Sequence, residues 1–166
     1  MNIVLTGFMG TGKSTVGKIV ADKLSYQYLD TDESIQKDVR MSISDIFAKK
    51  GEPFFREVES KIIELVSLLD KFVIATGGGV PLKASNMDLL EKNGRIFCLS
   101  AKPETILERL KGDSSRPLLK KKDPLAEIKN LLEQRKDYYK RCFRVIETDN
   151  IALKQAADII IKEFSA

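Results

Sequence analysis

The stretch GFMGTGKST, residues 7–15, follows the apolar residues 3–5 almost at the start of the chain. Its glycines, lysine and serine fit the spacing G-x-x-x-x-G-K-[ST] of a phosphate-binding loop, or P-loop. Glycines let backbone N–H groups turn toward phosphate oxygens, and the next helix N-terminus favours an anion. Lys13 would add a positive charge at the β- and γ-phosphates, and Ser14 a hydroxyl ligand for Mg²⁺. The alternative is a plain glycine turn with a capping serine, but the loop lies between a predicted strand and a predicted helix.

Two carboxylates end the second predicted strand, in Leu29-Asp30-Thr31-Asp32. On an extended backbone Asp30 and Asp32 would share a face. Asp30 could then hold the water shell of Mg²⁺, and Asp32 could accept a hydrogen bond from a substrate alcohol. The alternative is that Asp30 or Thr31 caps a helix that begins near Glu33.

The strand predicted at 72–75 runs into Thr76 and the glycines of residues 77–79. Three successive glycines let a ligand lie against bare backbone, although a flexible turn is the alternative.

Arg56 and Glu59 lie three residues apart at a helix start and can pair. Arg135 lies on a later helix. Guanidinium groups clamp carboxylates bidentately, so these features suit a small hydroxylated acid, whereas ordinary surface arginines are the alternative.

The elements that must position these residues alternate along the chain, which predicts an α/β fold with a parallel sheet covered on both faces. Ligands then gather at the carboxyl ends of the strands. We predict strands at 2–6, 26–29, 72–75, 95–99 and 144–147. We predict helices at 13–24, 53–69, 84–92, 103–110, 125–139 and 151–164. Residues 111–124 fit no element, and we expect a mobile loop there.

Composition narrows the class of protein. The 166 residues suit one domain, 1–166, and 43% of them are hydrophobic. Charges interrupt every apolar run, and the N-terminus lacks the pattern of an export signal, so we expect a cytoplasmic protein that does not bind membranes. A net charge of +4 fits small anionic ligands as well as nucleic acid, but there is no basic tail or aromatic-basic stripe, so we expect no nucleic-acid partner. The sequence contains no histidine, which excludes an imidazole base. Cys98 and Cys142 suit reduced packing residues, with a disulfide left open.

Taken together, the motifs resemble the shikimate kinase family over nearly the whole chain. They are GFMGTGKST, LDTD, SISDIF, GEPFFREVE, TGGGV, RPLL and the EQR helix. The resemblance implies the nucleoside monophosphate kinase fold group, with a three-layer, five-stranded parallel sheet and a mobile lid at about 111–124. It also implies transfer of the γ-phosphoryl group of ATP to the 3-hydroxyl of shikimate, a step toward chorismate and the aromatic amino acids.

The resemblance also assigns roles to matching residues. The ATP-binding positions would be Gly10, Thr11, Gly12, Lys13, Ser14, Thr15, Arg109 at the adenine and Arg116 in the lid. The shikimate-binding positions would be Asp32, Arg56, Gly77, Gly78, Gly79 and Arg135, with Glu59 orienting the arginines and a substrate region at about 32–62. Lys13, Asp32 and Arg116 would be catalytic, and Ser14 and Asp30, the latter through water, would hold Mg²⁺.

The chain departs from the family pattern at three places. The turn before Ser42 lacks glycine, no proline follows Arg135, and residues 148–151 offer no arginine at the adenine. The alternatives are a kinase for another acceptor, such as gluconate or a nucleoside monophosphate, and a non-catalytic nucleotide-dependent binding module. We expect a monomer whose partners are ATP and shikimate.

Overall fold

The computed structural model describes residues 1–113 and 117–166. Within them, five strands form one parallel sheet in the order β2-β3-β1-β4-β5. The strands are β1 Asn2–Thr6, β2 Gln27–Asp30, β3 Phe72–Ala75, β4 Gly94–Ser100 and β5 Arg144–Glu147. The predicted five-stranded parallel sheet is therefore confirmed, with strand ends that differ by one residue at β2 and β4.

Helices connect the strands and cover both faces of the sheet. They are α1 Lys13–Leu24, α2 Thr31–Val39, α3 Ile43–Lys50, α4 Glu52–Ser67, α5 Ala84–Lys92, α6 Pro103–Leu110, α7 Pro124–Tyr139 and α8 Leu153–Ser165. Short 3₁₀ turns occupy Val80–Leu82 and Pro117–Lys120. None of the helices in the described ranges is long and apolar enough to cross a bilayer.

Alternate residues of β1 point to opposite faces of the sheet, and each face has its own core. Ile3 and Leu5 pack with α1 and α8, whereas Val4 packs with α4 and α5. Phe8, just after β1, belongs to a third buried cluster with residues of α6 and α7. The result is the three-layer arrangement that strand–helix alternation predicts.

The region between β2 and α4 differs most from the prediction. Our assigned helices resumed only at residue 53, with a capped helix near Glu33 as the alternative; α2 confirms that alternative, whereas α3 was not predicted. Both are short and largely polar, and each begins with a side-chain cap, Asp30 for α2 and Ser42 for α3. Residues 111–124 were predicted as a loop, but they include the 3₁₀ turn at Pro117–Lys120 and the first residue of α7.

The pairing of β1 with β3 sets the height at which two loops leave the sheet. Leu5 is paired with Ala75, and the N–H of Thr76 donates to the Leu5 carbonyl at 3.0 Å. The P-loop and the TGGG segment therefore leave neighbouring strands at the same carboxyl-end level. This places the two glycine-rich loops side by side.

Candidate active site

The P-loop passes from β1 into α1 with three glycines at positive φ. Gly7 has φ +131°, Gly10 has φ +77° and Gly12 has φ +99°, values that strain a residue with a β-carbon. The Lys13 ammonium donates to the carbonyls of Gly7, at 2.8 Å, and Phe8, at 2.9 Å. The lysine thus lies across the loop, with its charge beside the backbone that would surround phosphate.

Asp30 uses its two carboxylate oxygens differently. Oδ1 accepts the N–H groups of Asp32, at 2.9 Å, and Glu33, at 3.3 Å, and so caps α2. Oδ2 lies 3.3 Å from both Ser14 Oγ and Tyr28 Oη. Burial raises the pKa of Tyr28 to about 12, so its phenol stays protonated and donates to Asp30. Asp30 is therefore a helix cap whose second carboxylate oxygen faces the P-loop serine.

This cap corrects the predicted position of Asp32. We expected Asp30 and Asp32 on one face of an extended backbone, but α2 begins at Thr31 because Asp30 holds the next N–H groups in a helical turn, which confirms the alternative that Asp30 is a cap. A β-carbon at Gly77 would lie 2.6 Å from Asp32 Oδ1 and 3.4 Å from Glu59 Oε2. The carboxylates of Asp32 and Glu59 thus approach each other above Gly77.

Arg56 and Glu59 form the predicted pair on α4. Arg56 Nη1 donates to Glu59 Oε1 at 2.8 Å, and Arg56 also contacts the more exposed Glu52 at 3.3 Å. The Glu59 side chain is 2% exposed. Burial raises the pKa of its carboxyl, and the Arg56 guanidinium only partly opposes that shift. Glu59 therefore anchors Arg56 from within the protein.

Arg135 approaches the same loop from α7. Its guanidinium carbon lies 5.7 Å from the centroid of the Phe8 ring. A β-carbon at Gly78 would lie 3.8 Å from Arg135 Nη1, and one at Gly79 would lie 2.3 Å from Arg56 Nη1. Two arginines from helices far apart in the sequence thus flank adjacent residues of one loop.

The glycines of the TGGG segment provide needed space at two of their three positions, 77 and 79. None has φ in the left-handed region, and Gly79 has φ −93°. Instead, candidate site side chains lie where two of the β-carbons would be, Asp32 at Gly77 and Arg56 at Gly79, whereas a β-carbon at Gly78 would make only ordinary contacts. The alternative of a turn kept only for its flexibility does not account for this arrangement.

Arg109 lies at the outer side of the P-loop. Its guanidinium donates to the carbonyl of Thr148, at 2.6 Å, to the Thr148 hydroxyl, at 2.9 Å, and to the Gly10 carbonyl, at 3.3 Å. The buried Thr148 hydroxyl in turn donates to the Thr11 carbonyl at 3.2 Å. These bonds tie the end of β5 to the P-loop, and the adenine contact of Arg109 stays a prediction.

The structure gives fewer contacts for two other predicted ATP-binding residues, Thr15 and Arg116. Thr15 is exposed in the first turn of α1, near the phosphate loop. Arg116 lies outside the described residues, so its contact with the phosphates also stays a prediction. Cys98 and Cys142 are free thiols.

Comparison with known proteins shows which family this chain is similar to. A family model described as shikimate kinase matches residues 9–165. Shikimate kinase from Caldicellulosiruptor bescii is 51% identical over 96% of this chain and 93% of the relative. Shikimate kinase from Thermodesulfovibrio yellowstonii is 48% identical over 98% of this chain and 94% of the relative.

The chain belongs to the shikimate kinase family.

The solved structures agree with this assignment. A shikimate kinase from Acinetobacter baumannii, solved in complex with shikimate, matches with a TM-score of 0.93 at 34% identity, covering 99% of this chain and 92% of that one. Family membership confirms the resemblance, the α/β fold and an ATP-dependent kinase activity. The individual site residues stay predictions.

Sequence reasoning missed several residues that hold the site together. The buried Thr31 hydroxyl accepts the Gly77 N–H at 3.0 Å, and Tyr139 Oη donates to the Gly78 carbonyl at 2.8 Å. A signal for Tyr139 existed, because it lies four residues after Arg135 and hence on the same helix face. Thr148 offered no local signal, since its partner Thr11 is 137 residues away.

Proposed function

We propose that this chain transfers the γ-phosphoryl group of ATP to the 3-hydroxyl of shikimate, in the biosynthesis of chorismate and the aromatic amino acids. One observation carries the proposal: Asp32, Arg135 and Arg56 converge on three consecutive glycines beside the P-loop. This arrangement combines a carboxylate for an alcohol, two guanidinium groups for an acid and bare backbone for a flat ring. The family relatives supply the name of the acid.

The chemistry follows from these positions. The acceptor oxygen bonds to the γ-phosphorus as the bond from phosphorus to the β,γ-bridging oxygen breaks, and ADP leaves. Asp32 orients the hydroxyl and takes its proton late, since a loose transition state demands little of a base. Lys13 neutralises charge on the transferred group. Phosphoryl transfer of this kind depends on positioning and charge, so the lack of histidine is no obstacle.

The proposed reaction uses Mg²⁺, which Ser14 and Asp30 would hold. Ser14 Oγ and Asp30 Oδ2 lie 3.3 Å apart at the P-loop, and both are the oxygen donors that Mg²⁺ prefers. Mg²⁺ keeps most of its water and phosphate ligands, so one hydroxyl and one water-bridged carboxylate are sufficient protein ligands. When bound, the ion would neutralise phosphate charge.

The remaining predictions are part of the same proposal. Residues 111–124 act as the lid, with Arg116 on the phosphates, and residues 32–62 form the substrate region of a single domain. Closure of the lid would keep water from competing as the acceptor. The free thiols of Cys98 and Cys142 support a cytoplasmic location. We propose a monomer, because ATP and shikimate contacts come from one chain.

The sharpest test compares shikimate with an analogue whose carboxylate is replaced by a neutral amide. A charge-assisted hydrogen bond contributes about 1.5 to 3 kcal/mol, so Arg56→Ala should weaken shikimate binding about ten- to a hundred-fold. Wild type should bind the amide poorly, and Arg56→Ala should discriminate far less between acid and amide. Arg56→Lys should restore binding only in part, because an ammonium lacks the planar fork. Calorimetry would measure each affinity.

Arg144→Ala is the matched control, because Arg144 is exposed on β5 and pairs with Glu163 of α8. It should bind shikimate like wild type. A coupled assay of ATP consumption with shikimate, quinate, gluconate and nucleoside monophosphates completes the test. Equal binding of acid and amide by wild type, or a preference for another acceptor, would contradict the proposal.

A further inference from the structure

Tyr139 lies at the end of α7, where its hydroxyl reaches the glycine loop. Tyr139 Oη donates to the Gly78 carbonyl at 2.8 Å, across 61 residues of sequence. Its ring lines a cavity of about 600 Å³ together with Phe8, Cys98 and Leu132. The ring is thus a packing element, whereas the hydroxyl alone reaches the proposed acid site.

The hydroxyl bond fixes a peptide plane. In a trans peptide, the carbonyl of one residue and the N–H of the next point in opposite directions. Tyr139 holds the Gly78 carbonyl and therefore sets the direction of the Gly79 N–H. Neighbouring bonds hold the rest of the segment, because the Gly77 carbonyl accepts from Val80 at 3.1 Å and the Gly79 carbonyl accepts from Leu82 at 3.1 Å.

The same hydroxyl neighbours Arg135. A β-carbon at Gly78 would lie 3.6 Å from Tyr139 Oη and 3.8 Å from Arg135 Nη1, so the two groups flank one residue. Burial raises the pKa of Tyr139, and Arg135 acts against that shift. The phenol stays protonated, so it can donate to Gly78 while its lone pairs face the guanidinium.

We propose that Tyr139 is a positioning residue for the acid substrate: its hydroxyl holds the Gly78–Gly79 peptide plane and the Arg135 guanidinium in one fixed arrangement. The inference rests on the proposed function, because it concerns the shikimate side of the site. Tyr139 acts through the loop backbone and Arg135. Its loss should therefore change acceptor binding and leave nucleotide binding intact.

Tyr139→Phe tests the proposal, since it removes only the hydroxyl and keeps the ring that lines the cavity. We expect the KM and Kd for shikimate to rise about five- to thirty-fold, which is the range for one lost hydrogen bond beside a charged group. The Kd for ATP should stay within about two-fold of wild type. Calorimetry and steady-state kinetics measure both ligands, and thermal unfolding records stability.

Tyr138→Phe is the matched control: the same atom is removed from the adjacent residue, whose side chain is exposed. It should leave both affinities unchanged. A third variant pairs Tyr139→Phe with Arg135→Ala. If the hydroxyl acts partly through Arg135, Tyr139→Phe should weaken shikimate binding less in the Arg135→Ala background than in wild type.

The outcomes separate this inference from the proposed function. If wild type fails to bind shikimate, the proposed function is wrong. If wild type binds shikimate and Tyr139→Phe binds it equally well, Tyr139 is only a packing residue and the inference is overturned. Parallel weakening of ATP and shikimate binding would mean general distortion of the site, which also overturns the inference.

Discussion

The two glycine-rich loops leave adjacent strands at the same height, yet they use glycine for different reasons. In the P-loop, Gly10 and Gly12 have φ of +77° and +99°, so the backbone itself demands glycine. In the TGGG segment the backbone is ordinary, and side chains from α2 and α4 lie where the β-carbons of residues 77 and 79 would be. The backbone of the first loop suits phosphate binding through its N–H groups. The second loop leaves room for Asp32 and Arg56, the side chains that we propose contact the shikimate ring.

This difference predicts different responses to substitution. A β-carbon in the P-loop is strained even when its neighbours move aside, because the strain is in its own residue. A β-carbon at residue 77 or 79 collides with a neighbouring side chain, and removing that side chain should remove the collision. The following predictions test this distinction.

The largest effect should come from the P-loop lysine. Lys13→Met keeps much of the side-chain length and removes the charge. We expect turnover to fall by about 10²- to 10³-fold or more, the loss seen when one preorganised group that stabilises developing charge is removed. A coupled assay measures turnover, with circular dichroism to check the fold. Lys162→Met, an exposed change on α8, should leave turnover unchanged. Near-normal turnover in folded Lys13→Met would contradict the P-loop assignment.

Gly79→Ala should affect the acid site selectively. Its β-carbon would lie 2.3 Å from Arg56 Nη1, so the guanidinium must move. We expect shikimate affinity to fall about ten-fold or more, as after the loss of one charge-assisted bond, with ATP affinity nearly unchanged. Calorimetry with each ligand measures the contrast. Unchanged shikimate affinity would show that the position of Arg56 is unimportant.

Gly12→Ala should be a defect that a neighbour cannot relieve. Its β-carbon would lie 2.8 Å from a Leu153 methyl, but φ of +99° remains unfavourable with Leu153 removed. We expect a loss of about 1 to 3 kcal/mol in the free energy of unfolding, most of which persists in a Leu153→Ala background. In contrast, the cost of Gly79→Ala should largely vanish in an Arg56→Ala background. Denaturant unfolding of both double-mutant cycles measures the coupling. Similar coupling in both cycles would remove the distinction between the loops.

The smallest expected effect is on the pH dependence of thermal stability, through Glu59. Burial raises the pKa of the Glu59 carboxyl. A carboxyl whose pKa is higher in the folded state stabilises the fold below its unfolded-state pKa, and this contribution is lost as pH rises through the folded-state value. Glutamine does not titrate, so Glu59→Gln should not lose this stability as the pH rises. The Tm of Glu59→Gln minus the Tm of wild type should therefore increase between pH 4.5 and neutrality, by about 4 °C or less. Thermal unfolding across pH measures it, and a relative Tm that falls with pH would contradict the assignment.

Contiguous patterns could be predicted from the sequence. The P-loop lies within nine residues, and the bounds of β1, α1, β3, α5 and α6 agree with those predicted from hydrophobic periodicity. The pair formed by Arg56 and Glu59 followed from helical spacing. These features depend on neighbours in the chain, so local reasoning was sufficient.

Features that depend on tertiary contacts could not be predicted in the same way. The predicted face of Asp32 is a separate, local case: it was wrong because the cap at Asp30, which we gave only as the alternative, starts a helix where strand geometry was expected. The reason for glycine at 77 and 79 became visible only with Asp32 and Arg56 in place. Thr148 joins β5 to the P-loop through partners far away in sequence. Such contacts appear only when the sheet order is known.

The pairing of Leu5 with Ala75 has a consequence for which acceptors can react. The P-loop and the TGGG segment begin at the ends of strands that lie about 4.8 Å apart. A hydrogen bond from the Thr76 N–H to the Leu5 carbonyl keeps the two starting points at the same level. If Arg56 and Arg135 bind the acceptor carboxylate as proposed, the sheet fixes the distance between that carboxylate and the transferred phosphoryl group. An acceptor whose carboxylate and hydroxyl are spaced too closely or too widely would then bind with its oxygen out of line, so we expect selection by length as well as by charge.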